Sequence, residues 1–476
     1  MSSTYPLGPH VATAGRNSAT RSKRVLVAGF GVTGQALSKV MVEERADVTA
    51  AYDRSSRGDG LPAARLSAIA MGLGVELVEI QDPKAWAELA AGMDEIVVSP
   101  GIPAGHPVLS LRGVVSEVEW AARRARVPLV AITGTSGKTT VTTLVTRMLN
   151  ASGLRALACG NIGLPLAEAV TKDADVLVVE VSSFQLALTE SFHPAVAAWL
   201  NFAPNHQDWH RSLEEYAQAK ARIWANLSYG DNAVINVDDE VVVAKAQGLK
   251  CEVISFGLHS GDWHMSGSEL LDPSGTVLAS LSDLVRHARH DIYNALAASA
   301  CACAVGAQLE KCREVLSDFD GLPHRQQQVD EVAGVFYVDD SKATTPQAAL
   351  AACQAFESVV LIAGGRSKGI SLRPLGLAAA SLRAVVAIGE AAVEIEEVFR
   401  GSCTVEVARS MQDAVELATR LARKGDTVLL SPGCASFDWY GSYIERGEDF
   451  ERCVQEIARR AHQSSLDEVF PSAEGL

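Results

Sequence analysis

Val127-Pro-Leu-Val-Ala-Ile-Thr-Gly-Thr-Ser-Gly-Lys-Thr-Thr-Val141 runs from an apolar stretch through a short glycine loop into an amphipathic segment. Residues 127–132 read as a buried strand. Val141, Leu144, Val145, Met148 and Leu149 then recur at i, i+3, i+4, i+7 and i+8, the spacing of one helix face. The loop between them holds Gly134, Thr135, Ser136, Gly137, Lys138, Thr139 and Thr140. Its backbone N–H groups and the helix N-terminus can face a nucleotide triphosphate, Lys138 can neutralise the outer phosphates, and a threonine hydroxyl can reach Mg²⁺. The full phosphate-loop pattern has a glycine five positions before Gly137, where Ile132 stands. The strand–loop–helix context carries the assignment instead.

Upstream, residues 24–30 form a strand, Gly29-Phe-Gly31-Val-Thr33-Gly34 opens a helix, and the strand 47–52 ends at Asp53. That is the dinucleotide fingerprint with its acidic residue, although such a turn holds any diphosphate. A strand at 94–99 leads into the loop Pro100-Gly101-Ile-Pro103, at the strand edge where open α/β sheets bind ligands. Downstream, strands at 175–181, 195–201 and 232–237 continue the central segment. Strands at 335–338, 359–363, 384–388 and 427–430 alternate with helices at 346–356 and 411–422. The expected fold is α/β with three domains, each a doubly wound, mostly parallel sheet. The expected limits are a flexible tail at 1–22, then domains at 23–120, 121–321 and 322–476.

Composition narrows the function. With 476 residues and 48% hydrophobic content the chain supports several cores, roughly two to four domains. A net charge of −15 argues against nucleic acid as a partner. No apolar run reaches the roughly 18–20 residues of a membrane span, and the polar N-terminus has no signal-peptide core. The nine cysteines show no metal-ligand spacing and read as reduced thiols. A cytoplasmic monomer without stable membrane insertion is expected.

Polar residues follow several apolar strands. Glu180 ends one strand, and a carboxylate there suits Mg²⁺, or else caps a loop. His206 stands in Asn201-Phe-Ala-Pro-Asn-His206 as a metal or substrate ligand, or a solvated loop histidine. Asn161, in Gly160-Asn-Ile-Gly163, can hydrogen-bond a ligand from a tight turn. Lys220 reads by composition as a surface lysine on a helix.

Together these segments resemble one family. The loop 133–140, Gly160-Asn-Ile-Gly163, Glu180-Val-Ser-Ser-Phe-Gln185, His206, Lys220, Gly321-Leu-Pro-His-Arg325, Asp340-Ser-Lys-Ala-Thr344 and Ser431-Pro-Gly-Cys-Ala-Ser436 are similar to the motifs of the Mur ligases. These are ATP-dependent amino-acid ligases of peptidoglycan precursor synthesis. Asp-Ser-Lys-Ala-Thr, and Ser-Pro-Gly-Cys-Ala-Ser followed by Tyr443 and Arg446-Gly447, look like the branch that adds D-glutamate to UDP-N-acetylmuramoyl-L-alanine through an acyl phosphate.

The resemblance reassigns the first domain from NAD to the UDP substrate, with Gly31, Thr33, Asp53, Arg54, Gly101 and Asn161 as contacts. It implies ATP at Gly134–Thr140, Asn294, Arg325 and Asp340, and catalytic roles for Lys138, Glu180, His206, Lys220 and Lys342. It also implies two Mg²⁺ ions on Thr139, Glu180, His206 and a carbamylated Lys220. D-Glutamate contacts would come from Thr344, Lys368, Ser436, Phe437 and Tyr443, and contacts split between domains would imply closure. The chain departs from the family pattern at Ser136, Asn205, Asp291, Thr345 and Arg366. Competing readings are the muramoyl:L-alanine ligase, folate-polyglutamate synthases, a nucleotide-binding non-enzyme and an NAD dehydrogenase. The last leaves Lys138, Glu180 and residues 340–344 without a role.

Overall fold

The computed structural model describes residues 22–53, 62–206, 209–367 and 371–469, without the side chains of 347 and 462–469. Arg54, Lys368 and the expected tail apart from Ser22 lie outside the described residues.

The first sheet comprises β1 (Arg24–Ala28), β2 (Asp47–Tyr52), β3 (Glu76–Glu79), β4 (Glu95–Val98) and β5 (Val114–Ser116), all parallel, in the order β3-β2-β1-β4-β5. The glycines at its first turn are sterically required. Gly29 has φ +89°, and a Cβ on Gly34 would lie 1.9 Å from the Gly29 carbonyl oxygen. Only bare Cα atoms let the helix Val32–Glu43 start this close to the strand.

The second sheet has nine strands: β6 (Leu129–Thr133), β7 (Ala156–Gly160), β8 (Val176–Glu180), β9 (Val196–Trp199), β10 (Asn232–Asn236), β11 (Glu252–Gly257), β12 (Trp263–Ser266), β13 (Glu269–Leu271) and β14 (Val277–Ser280). Their order is β14-β13-β12-β11-β10-β9-β6-β8-β7, and only β12, β13 and β14 join antiparallel. The strand of the glycine loop, β6, is thus internal, flanked by β9 and β8, and all five of its residues are buried. The third sheet contains β15 (Gln327–Val332), β16 (Val335–Asp339), β17 (Val359–Gly364), β18 (Leu382–Ile388), β19 (Thr404–Val407) and β20 (Thr427–Gly433). Its order is β15-β16-β20-β17-β18-β19, parallel except for the β15–β16 hairpin.

By packing, residues up to Phe319 form one unit and those from Asp320 a second. Within the first unit, Val25, Leu37 and Val97 of the first sheet's layer and Leu129, Leu177 and Trp199 of the second belong to one continuous apolar core. Among the described residues no helix is long and apolar enough to cross a membrane.

Glu117 sits inside that first unit, 1% exposed. Its Oε1 accepts the Ala167 N–H at 2.7 Å, and its Oε2 has no protein partner. Burial pushes its carboxyl up to about 7. A carboxyl raised on folding keeps its proton in the native state while the unfolded chain has lost it. Stability therefore falls as pH rises from about 4.5 to about 7, by roughly 3 kcal/mol at most. Glu117→Gln, the same shape without the titration, should flatten that slope. Thermal unfolding at pH 5 and pH 8 checks it, and equal pH slopes in both proteins would refute a buried titrating carboxyl.

Candidate active site

The helix Lys138–Ala151 follows β6 after the loop 134–137, with Gly137 as its N-cap in the left-handed region (φ +80°) and no side chain capping it. Its first N–H groups are therefore available to an anion. A Cβ at Gly137 would lie 2.5 Å from Asn294 Oδ1, so Asn294, on the helix Arg289–Ala304, packs directly on the loop. Asn201 braces the same loop: its Oδ1 accepts the Ser136 N–H at 2.9 Å, and its Nδ2 donates to the Ser136 carbonyl at 3.2 Å. Thr140, Leu144, Arg286, Asp291 and Asn294 line a cleft beside the loop, enclosing about 280 Å³ of space open to solvent.

Lys138 Nζ donates to the carbonyls of Gly134 (2.8 Å) and Thr135 (3.2 Å). Lys220 arrives from the helix Leu213–Ala221 and donates to the same Gly134 carbonyl at 2.8 Å and to Thr133 Oγ1 at 3.4 Å. Far from being a surface lysine, Lys220 is 2% exposed, with its Nζ 4.8 Å from the Tyr216 ring centre. Burial, reinforced by the Lys138 ammonium and opposed by Glu180, holds its amine well below the usual lysine range. Burial therefore favours the unprotonated amine.

Glu180 ends β8 opposite Gly160 of β7. It is 3% exposed, and its Oε1 accepts from Asn161 Nδ2 at 2.9 Å. Its Oε2 is buried without a protein partner. A buried carboxylate oxygen with nothing from the protein on it fits a hard cation. His206 takes a positive φ of 53°, and Asn205 Oδ1 accepts its N–H at 2.8 Å. Its ring meets Phe184 edge-on at 4.8 Å and Tyr216 at 5.9 Å, so His206 and Lys220 share the Tyr216 wall. A left-handed histidine is uncommon and concentrates at functional sites.

A second cavity, of about 250 Å³ of open-sided space, lies between the end of β4 and the central sheet's loops, lined by Ser99, Pro100, Ile102, Ser116, Gln185 and Trp209 among others. Gln185 Nε2 and Trp209 Nε1 are buried donors without a protein partner, and sequence reading assigned neither a role. The orphaned N–H groups beside Ser99 and Pro100 suit an acceptor-rich ligand.

In the second unit, Asp340 follows β16 and accepts from Ser431 Oγ at 2.7 Å. Burial pushes its carboxyl up to about 7, against the opposing pull of Ser431, the Gln326 N–H and Arg325. His324 (φ +60°) and Gln326 (φ +47°) flank Arg325 in strained backbone. His324 Nδ1 stands 2.6 Å from Asp339 Oδ2, and the His324 carbonyl accepts the Lys342 N–H at 3.1 Å. Lys342 Nζ lies 4.2 Å from the centre of the Tyr443 ring. The Thr344 N–H donates to the Lys342 carbonyl, Ser436 is buried, and Phe437 is 51% exposed. Arg446 is buried and fastens this region: it donates to Ser341 Oγ (3.0 Å), the Ser341 carbonyl (2.8 Å) and the Cys434 carbonyl (3.2 Å).

The departures from the family pattern have local uses. Asp291 pairs with Arg286 at 3.2 Å, Arg366 with Glu390 at 3.0 Å, and Thr345 caps the helix Pro346–Cys353 by accepting from the Ala348 N–H.

Residues 132–302 match the Mur ligase middle domain, and residues 324–434 the Mur ligase glutamate ligase domain. The chain is 38% identical over 450 residues to a UDP-N-acetylmuramoylalanine–D-glutamate ligase from Trichlorobacter lovleyi (92% of this chain, 99% of the relative). It is 38% identical over 472 residues to the ligase of the same name from Thermobifida fusca, again 92% of this chain and 99% of the relative. Among solved structures the fold is similar to a pseudomurein peptide ligase type C from Methanothermus fervidus (17% identity, 92% of this chain and 100% of that one, TM-score 0.56). It is also similar to a UDP-N-acetylmuramate–alanine ligase from Thermotoga maritima (17% identity, the same coverage, TM-score 0.55). With identity sustained along nearly its whole length, and both family domains in order, the chain belongs to the Mur ligase family.

Proposed function

We propose that this protein is the ATP-dependent ligase that joins D-glutamate to UDP-N-acetylmuramoyl-L-alanine in cytoplasmic peptidoglycan precursor synthesis. The supporting observation is the meeting, at the ends of the neighbouring strands β6 and β8, of Lys138, the buried Lys220 and the unpartnered oxygen of Glu180. That is an anion- and cation-binding corner suited to phosphoryl transfer.

The L-alanyl carboxylate takes the γ-phosphoryl group of ATP, releasing ADP. The D-glutamate amine then attacks the acyl phosphate, and the tetrahedral intermediate expels phosphate as the amide forms. Lys138 and the helix N-terminus stabilise charge on the transferring phosphoryl oxygens. Thr139, Glu180, His206 and a carbamylated Lys220 would hold two Mg²⁺, which when bound supply further electrostatic stabilisation of those oxygens. Asn294 faces the nucleotide. Gly31, Thr33, Asp53, Gly101 and Asn161 serve the UDP substrate, with Gln185 added from the second cavity. In the second unit, Arg325, Asp340 and Lys342 serve ATP and the transfer, while Thr344, Ser436, Phe437 and Tyr443 receive D-glutamate. Residues 23–120, 121–321 and 322–476 carry these three tasks in turn.

Phosphate release with ATP, Mg²⁺ and UDP-N-acetylmuramoyl-L-alanine, screened against D-Glu, L-Glu and L-Ala, tests this. Release should require D-Glu. Release with L-Ala on the unsubstituted muramoyl substrate would move the chain to another branch, and no release with any amino acid would overturn the reading.

A further inference from the structure

Asp53, at the end of β2, is held by two ring donors that no motif predicts. His106 Nε2 stands 2.7 Å from Asp53 Oδ2, and Trp86 Nε1 donates to the same oxygen at 3.4 Å. The other nitrogen of His106 fixes the tautomer. Nδ1 accepts the Val108 N–H at 3.3 Å, so the ring proton of the neutral imidazole lies on Nε2 and is donated to the carboxylate. Both rings are buried, 4% exposed for His106 and 1% for Trp86. They meet edge-on at 5.0 Å, which leaves the imidazole little freedom to turn. His106 also closes the loop that carries Gly101: its N–H donates to the Pro103 carbonyl, and it caps the short helix Pro107–Ser110. One side chain therefore ties together the two strand ends, β2 and β4, that carry Asp53 and the Gly101 loop.

We infer that His106 is a positioning residue for the UDP substrate, fixing Asp53 through Oδ2 so that the carboxylate meets a nucleoside donor in one orientation. The inference rests on the reading of Asp53 as a UDP-substrate contact. A carboxylate only accepts, so its partner is a group bearing a proton, a ribose hydroxyl or the uracil N3–H. Without the imidazole the carboxylate loses the shorter of its two ring donors, and each binding event must then do more to order it.

The test is calorimetric titration of the full-length protein with UDP, using His106→Phe, His106→Gln, Asp53→Ala and the His106→Phe/Asp53→Ala double variant. His106→Phe, which keeps a ring but no donor, should weaken UDP binding roughly tenfold. His106→Gln, with an N–H at similar reach, should recover part of that loss. In the Asp53→Ala background the His106→Phe change should add nothing, because the coupling passes through that carboxylate. In turnover, KM for the UDP substrate should rise by more than kcat falls. An equal effect of His106→Phe with and without Asp53 would reduce His106 to a structural residue and overturn the inference, as would unchanged UDP binding by His106→Phe. If Asp53→Ala itself binds UDP normally, the reading of Asp53 fails and the inference fails with it. Should His106→Phe not fold, His106→Gln in the same two Asp53 backgrounds carries the cycle: a partial loss of UDP binding that vanishes in Asp53→Ala supports the inference, and an equal loss in both overturns it.

Discussion

Lys138→Ala should lower D-glutamate-dependent phosphate release by about 10²–10³-fold or more. The side chain begins the helix Lys138–Ala151, and in the structure its ammonium rests on the Gly134 and Thr135 carbonyls of its own loop. Those two bonds are short-range and replaceable by water, so their loss should shift the melting temperature little. The large effect lies in the transition state. Charge spreads over the oxygens of the transferring phosphoryl group, and a fixed cation in a partly dry site stabilises it far more than it stabilises bound ATP. The expected signature is a collapse of kcat with a smaller change in KM for ATP and an unchanged thermal transition. Near-wild-type turnover would remove the phosphate-loop assignment, and a collapse of the thermal transition alongside activity would recast Lys138 as structural.

The phosphate loop was readable because every signal for it is local. The strand, the glycine with positive φ and the helix face at 141–149 lie within one continuous segment, and the structure places Val141, Leu144, Val145, Met148 and Leu149 in the core as their spacing predicts. The first sheet was equally accessible, since β2 ends at Tyr52, just before Asp53, as its apolar pattern indicates. The antiparallel extension β12–β14 was missed because its strands are three or four residues long and only partly buried, too short for a period of two to stand out.

What sequence could not give is lateral neighbourhood. Asn161 reaches Glu180 because β7 and β8 run in register, Gly160 beside Glu180, a pairing fixed by strand order rather than by spacing. His106 meets Asp53 across 53 positions for the same kind of reason. Lys220 was different, because a local signal existed. Tyr216 and Lys220 are four apart on one helix, and Tyr216, Ala217 and Ala219 beside it are all buried, so the lysine shares a core-facing side. Composition alone hid that. Arg446 was quoted in the family pattern but given no task, and its burial under three backbone and hydroxyl acceptors explains its presence without any substrate.

Lys220→Ala should be nearly inactive, falling by roughly 10²-fold or more, and a short carboxylic acid such as acetate should restore part of the rate. The argument begins with burial. An ammonium at this position would lose its hydration and face the Lys138 ammonium, with only Glu180 opposing, so the unprotonated amine is favoured. A neutral primary amine adds CO₂, forming an N–C bond and releasing one proton, and the product is an anionic carbamate. The Lys138 charge that disfavoured an ammonium would attract that anion, whereas burial and Glu180 would oppose it until cations bind. The Tyr216 ring lies against both the Lys220 amine and the His206 ring. Two oxygens from a carbamate would complement the lone Glu180 Oε2 as hard ligands. Cutting the side chain back to a methyl group leaves space in which a small carboxylate can stand in for the carbamate, which is why acetate should rescue Lys220→Ala and have no effect on Lys138→Ala. A carbamate carbon signal after equilibration with ¹³C-bicarbonate, absent from Lys220→Ala, is the direct measurement. Full activity of Lys220→Ala without added acid would eliminate the carbamate, and an inactive variant that acetate cannot rescue, together with no carbamate signal in the unsubstituted protein, would leave Lys220 as a buried hydrogen-bond donor to Gly134.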